Sequence, residues 1–228
     1  MGQSIRDFIK ILEVAGELKR VKVEVDPRFE IAGILWKAKK GPAIFFEKVK
    51  GYDIPVIGNM LNLRKKFALA LGIAERDITK VCYRAIENPI LPEIIKETNC
   101  RQSVIDKDID LCGKFPIPYV CERDRKPYIT AGVVIAKHPV TRKRNVSINR
   151  LQVNGPDTMI MGVAPTHHLG QFLRECKELG QPLEVSISIG NHPALLMAAT
   201  MYVELGFDEL EIAGGLLKEP FLMPTHTH

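Results

Sequence analysis

The chain has 228 residues, 46% of them hydrophobic and 26% charged, with a formal net charge of +5. That length suits one large domain or two modest ones, and the composition is that of an ordinary globular core. No apolar run approaches the ~20 residues of a membrane-spanning helix. The opening MGQSIRDFIK has no apolar signal-peptide region, and position six carries Arg6 rather than the hydroxyl residue of a myristoylation signal. The expectation is a cytoplasmic protein. Basic residues are spread among acidic ones, a balance that suits a phosphorylated or carboxylate ligand and gives no reason to expect nucleic acid. The five cysteines, Cys82, Cys100, Cys112, Cys121 and Cys176, are odd in number and contain no Cys-x-x-Cys pair. This speaks against a disulfide framework or zinc ribbon and for buried or half-buried thiols.

Ser4 followed by Asp7 has the form of a capping box, and Ile5, Phe8, Ile9 and Leu12 follow at helical spacing as far as Gly16. Residues 20–25 (RVKVEV) alternate and predict a half-buried strand. Helical spacing returns over 29–39, an apolar strand over 43–49, and helices over 62–72 and 76–87. Prolines at 89, 92, 116, 118 and 127 make 88–127 a connector, with a domain boundary near residues 100–115. Further on, 128–137 reads as a strand, 138–142 as a turn, 145–153 as an alternating strand and 158–163 as a third. A helix over 166–179, a strand over 183–189, a short helix over 193–201 and a helix over 209–217 complete the chain. Several strands with few crossover helices indicate an antiparallel or mixed sheet, of barrel type rather than doubly wound.

Three places carry residues suited to chemistry. On a continuous strand 145–153, Asn145, Ser147 and Asn149 share one face and Ile148 and Arg150 the other; a water-facing edge strand reads the same way. His167 and His168 follow Pro165 at a helix start, where free N–H groups favour an anion, and a pair of partly exposed histidines fits equally. Glu209 stands with Asp208 and Glu211 at the start of the last helix, where acids commonly decorate the first turn. An amide oxygen from Asn145, an imidazole from His168 and a carboxylate from Glu209 would suit Mn²⁺, which accepts mixed oxygen and nitrogen ligands. The basic run Arg142-Lys143-Arg144 reads as an exposed turn, with a substrate phosphate as the alternative.

The stretch Asn145-Val146-Ser147-Ile148-Asn149-Arg150 resembles the motif that opens the prenylated-FMN site of the UbiD family of decarboxylases. Pro165-Thr166-His167-His168 is similar to that family's histidine-bearing helix start. His192-Pro193-Ala194 through Met201, and Gly206-Phe207-Asp208-Glu209 through Gly214, resemble its next two segments. Ser4 to Ile9 and Gly16-Glu17-Leu18 resemble its N-terminus. The similarity runs in family order over nearly all of residues 4–220.

The resemblance implies an α/β (α+β) fold, with an N-terminal α/β domain over 1–110 and a split β-barrel-like cofactor-binding domain with helices over 111–228. It implies that Asn145, His168 and Glu209 hold Mn²⁺ against the flavin phosphate. Asn145, Ile148, Asn149, Arg150, Gly162, Val163, Ala164, His167 and His168 would line prenylated FMN, with Arg150 facing the substrate carboxylate as the catalytic residue. Carbonyls around Ala198, Ala199 and Met201, with Glu209, would take K⁺. The implied activity is non-oxidative decarboxylation of an α,β-unsaturated or aromatic acid, anhydromevalonate phosphate and a polyprenyl-hydroxybenzoate being candidates. The implied partners are a flavin prenyltransferase as cofactor supplier and further copies of the chain in a homo-oligomer. Family members are about twice as long and continue into a Val-Pro-Ala-like strand with two acidic residues that deliver a proton. The stretch Phe221 to His228 does not resemble that continuation, so a truncated cofactor- and metal-binding module, or an assembly fragment without turnover, is the alternative.

Overall fold

The computed structural model describes residues 2–96 and 102–224; Cys100 and the tail from residue 225 lie outside them. The capping box forms: the Ser4 hydroxyl accepts from Asp7 N at 3.2 Å, and the Asp7 carboxylate accepts from Ser4 N. Helix α1 (Ile5–Val14) buries Phe8 and Leu12. Gly16, at φ +69°, turns the chain into β1 (Leu18–Val25), which crosses through α2 (Glu30–Lys37) to pair in parallel with β2 (Ala43–Val49). Strand β3 (Val56–Gly58) adds antiparallel to β2, giving the order β1-β2-β3. The expected half-burial of residues 20–25 is not what forms: the register shifts between Val21 and Glu24, and Val23 is 71% exposed. A bulge of this kind breaks the period-two alternation.

Helix α3 (Arg64–Leu71), a 3₁₀ turn at Glu75–Asp77 and α4 (Ile78–Glu87) follow, each helix starting two residues later than its spacing predicts. Lys66 of α3 has no solvent exposure. Its ammonium donates to Gly41 O (2.9 Å), Asn59 O (3.0 Å) and Asn62 Oδ1 (2.7 Å), tying α3 to the ends of two neighbouring segments. The expected connector 88–127 holds two short elements, β4 (Glu93–Ile95) and α5 (Leu111–Lys114).

The second half departs from the sequence reading in one instructive way. Residues 128–137 form two strands, β5 (Tyr128–Ile129) and β6 (Val133–Lys137), and residues 145–153 also divide, into β7 (Arg144–Ile148) and β8 (Leu151–Val153). Strand β9 (Met159–Met161) pairs with β8. Both long strands break at the same level, because the ribbon they form passes from one sheet to another: β6 pairs with β7, and β5 with β8. Gly132 sits at that corner, where a Cβ would lie 2.8 Å from Leu151 Cδ1. Helix α6 (His168–Glu178), β10 (Val185–Ser188), α7 (Pro193–Ala198), α8 (Glu209–Leu217) and β11 (Leu222–Pro224) complete the elements. The antiparallel sheets run β10-β6-β7 and β5-β8-β9, while β11 pairs in parallel with β4; the described residues form no closed barrel. Buried residues of α7 and α8 make the largest core cluster, joined by Ala85, Val133 and Val146. Among the described cysteines, Cys176 is buried and Cys82 and Cys112 half-buried, but Cys121 is exposed, against expectation.

The N-terminus is latched onto this core. Gln3 Nε2 donates to Pro220 O, and its Oε1 accepts from Leu222 N, both at 2.8 Å. The Phe8 ring meets His192 edge-on with centroids 6.5 Å apart. His192 is 1% exposed; its Nδ1 accepts from Ala194 N, and its Nε2 has no partner among the described residues. Burial pushes this imidazole down from 6.5 to about 4, with Asp7 and Glu219 pulling the other way. A depressed folded pKa means stability present above 6.5 and lost as pH falls through about 4. Urea unfolding of wild type and His192→Gln is therefore expected to show the stability gap between them shrinking by about 2 kcal/mol from pH 7 to pH 5. A gap independent of pH would mean that the imidazole is hydrated in the native state.

Candidate cofactor and metal site

Strand β7 is an edge of its sheet, in register with β6 so that Asn145 faces Ala136. An edge strand leaves N–H groups unpaired unless another element takes them. Here the first residue of α8 does so: Glu209 Oε2 accepts from Val146 N at 2.8 Å, and Oε1 accepts from Asn145 Nδ2 at 3.0 Å. Asn145 is 5% and Glu209 3% exposed. Burial pushes the Glu209 carboxyl up from 4.5 to about 7, against the two hydrogen bonds that favour its anion. Among the described residues no cationic side chain forms an ion pair with it. A buried carboxylate with an amide beside it and no cation is a place where a bound metal ion would supply the missing charge. The oxygen-donor pair fits a hard or borderline divalent ion.

Asp208, immediately before Glu209, caps α8 through Oδ1, which accepts from Leu210 N at 3.0 Å. Its Oδ2 accepts from both Arg144 Nε and Nη2 at 2.6 Å. Arg144 is thus a half-buried strand residue rather than part of an exposed turn, and Asp208 does more than decorate a first turn. Their roles escaped the sequence reading. The usable signal was that Arg144 and Asn145 stand side by side, as do Asp208 and Glu209.

The other expected residues fall around this pair. Ile148 closes β7 and is half-buried, and Asn149 donates to Ser147 Oγ at 2.9 Å. Asn149 and Arg150 lie in the break between β7 and β8, so the continuous face proposed for 145–153 ends at Ile148. Arg150 projects from the corner, exposed, and its carbonyl accepts from Gly162 N at 3.1 Å. Gly162 is exposed, while Val163 and Ala164 are half-buried. His167 is the exposed N-cap of α6 and His168 its half-buried first residue. Burial, then the neighbouring His167, lowers the pKa of His168, which favours the neutral, ligating form. No hydrogen bond joins His168 to Asn145 or Glu209 among the described residues. Gly170 was not foreseen: a Cβ there would lie 2.9 Å from Pro165 Cα, so only glycine lets α6 rest against the turn carrying the histidines. At the end of α7, Ala198 O already accepts from Met201 N at 3.0 Å.

The model of the 3-octaprenyl-4-hydroxybenzoate carboxy-lyase N-terminal domain matches residues 9–86, and that of the carboxy-lyase Rift-related domain matches 93–227. Mixed sheets, an edge strand bound by a buried helix-start glutamate and these two domain matches define the class. The chain belongs to the UbiD family. It is 35% identical over 209 residues to the anhydromevalonate phosphate decarboxylase of Methanothermobacter thermautotrophicus, covering 92% of this chain and 48% of that protein. To the phenolic acid decarboxylase of Sedimentibacter hydroxybenzoicus it is 32% identical over 229 residues, covering 94% and 48%. It superposes with a TM-score of 0.95 and 38% identity on an evolved dimeric form of the UbiD-class enzyme HmfF from Pelotomaculum thermopropionicum in complex with prFMN, covering 99% of this chain and 53% of that one. The chain thus spans about half the length of the curated relatives it matches. No helix among the described residues is long and apolar enough to cross a membrane.

Proposed function

We propose that this chain forms the cofactor-binding part of a non-oxidative decarboxylase acting on an α,β-unsaturated or aromatic carboxylic acid, with prenylated FMN held through Mn²⁺. The observation that carries the reading is the buried Asn145–Glu209 pair, a carboxylate out of water with no cationic side chain paired to it. In this reading residues 1–110 form the N-terminal α/β unit and 111–228 the cofactor unit. Asn145, Glu209 and His168 hold the metal, and Ile148, Asn149, Arg150, Gly162, Val163, Ala164, His167 and His168 line the flavin. Prenylated FMN, when bound, supplies the electron sink that loss of carbon dioxide requires. Arg150, exposed at the sheet corner, meets the substrate carboxylate with a two-pronged hydrogen-bonded contact. Ser147 fixes the Asn149 amide beside it. K⁺ near Ala198 and Met201, a flavin prenyltransferase as supplier, and assembly with further copies belong to the same reading. The resemblance to an anhydromevalonate phosphate decarboxylase supports the phosphorylated substrate, and that to a phenolic acid decarboxylase supports an aromatic one.

A second reading has one observation in its favour. Leu91 and Ile94, beside and within β4, are 71% and 64% exposed, which leaves both side chains open to packing by another polypeptide. A binding module or assembly fragment would show this too. Carbon dioxide release from anhydromevalonate phosphate and from 4-hydroxybenzoate, measured on flavin-loaded protein, separates the two. Release that Arg150→Met abolishes supports the enzyme. Full loading with no release from any acid supports the module.

A further inference from the structure

The ion pair between Arg144 and Asp208 lies one residue away from the Asn145–Glu209 pair on both elements. Side chains of consecutive strand residues leave opposite faces, so Arg144 and Asn145 depart from β7 on its two sides. Asp208 takes the first and Glu209 the second, so the start of α8 straddles the edge of the strand. Both guanidinium contacts to Asp208 are 2.6 Å, and the two side chains are 22% and 13% exposed. The rest of α8 is anchored independently: Leu210, Ile212, Ala213 and Leu216 are buried in the main core. The apolar face thus anchors the body of the helix, and the ion pair adds a tie at its first turn.

We propose that Arg144 and Asp208 are positioning residues that hold the Glu209 carboxylate beside Asn145 and so pre-form the metal site. The proposal rests on the metal-binding reading above. Outer partners of metal ligands commonly change affinity by about 10–100-fold when removed. On the Arg144 side of the strand is a cleft of about 410 Å³ whose lining includes Arg142, Lys143, Arg144, Asp208 and Glu211. Glu211 also lines it and feels the Arg144 charge; the pair is therefore tested from both ends.

The test is Mn²⁺ titration of the chain, read by the electron paramagnetic resonance signal of free and bound ion, with no flavin added. Wild type, Arg144→Met, Arg144→Lys, Asp208→Asn and Glu209→Gln are compared, with far-ultraviolet circular dichroism on each. Asp208→Asn keeps an acceptor for the helix cap and carries the test even where Arg144→Met loses its fold. The expected result is about 10-fold or greater weakening in Asp208→Asn and Arg144→Met, partial recovery in Arg144→Lys, and a changed spectrum of the bound ion. Variants that bind Mn²⁺ as tightly as wild type, whether or not they melt earlier, would overturn the positioning role and leave the metal reading intact. Wild-type protein that takes no Mn²⁺ would overturn both.

Discussion

Lys66→Met is expected to destabilise the chain by about 3 kcal/mol, measured by urea unfolding at neutral pH. The ammonium is wholly buried and gives one hydrogen bond to each of Gly41 O, Asn59 O and Asn62 Oδ1. Methionine fills much the same volume but leaves all three acceptors without their donor in a dry site, where each orphan costs about 1–3 kcal/mol. Part of that loss is offset because the desolvated charge is gone. Burial lowers the Lys66 pKa to about 8, while the three acceptors favour the charged form. A change smaller than ~1 kcal/mol would show that water reaches the three carbonyl oxygens in the variant.

On the proposed reading, in which Glu209 holds Mn²⁺, Glu209→Gln is expected to lower Mn²⁺ affinity by about 100-fold while leaving the fold in place, because it would remove a ligand charge and keep the shape. The same substitution exposes the pH behaviour of the metal-free protein. The Glu209 pKa is raised from 4.5 to about 7, so its contribution to stability is present below 4.5 and lost as pH rises through about 7. Between pH 5 and pH 8, metal-free wild type is expected to lose about 2.5 kcal/mol relative to Glu209→Gln. Added Mn²⁺ should return most of that loss to wild type and none to the variant. Urea unfolding in chelator and in excess Mn²⁺ reads both effects, and a pH-independent difference between the two proteins would contradict the burial assigned to this carboxylate.

How much of this was legible in the sequence differs by residue. The Ser4–Asp7 capping box and helix 209–217 form as their local patterns indicate, because capping and a buried apolar run are decided within a few residues. The strands at 128–137 and 145–153 read as continuous, because hydrophobic alternation does not distinguish a strand that bends into a second sheet from one that runs straight. Gly132 at the corner was the available sign. Asn145 and Glu209 stand out as possible ligands by residue type and by family motif, yet the contact between them spans 64 residues of sequence and follows from an edge strand needing a partner for its N–H. Arg144 and Asp208 were passed over because charged residues near a turn and at a helix start are common, and only tertiary structure shows that they meet. Lys66 was invisible for the same reason: its three acceptors come from loop and turn residues whose convergence no periodicity encodes.

The most direct test is a flavin absorption spectrum with metal analysis on protein co-expressed with a flavin prenyltransferase and supplied with Mn²⁺. About one flavin and one manganese per chain, both lost in Asn145→Ala, is the result expected of a metal-clamped flavin site. Folded protein that is colourless and metal-free under those conditions would contradict it.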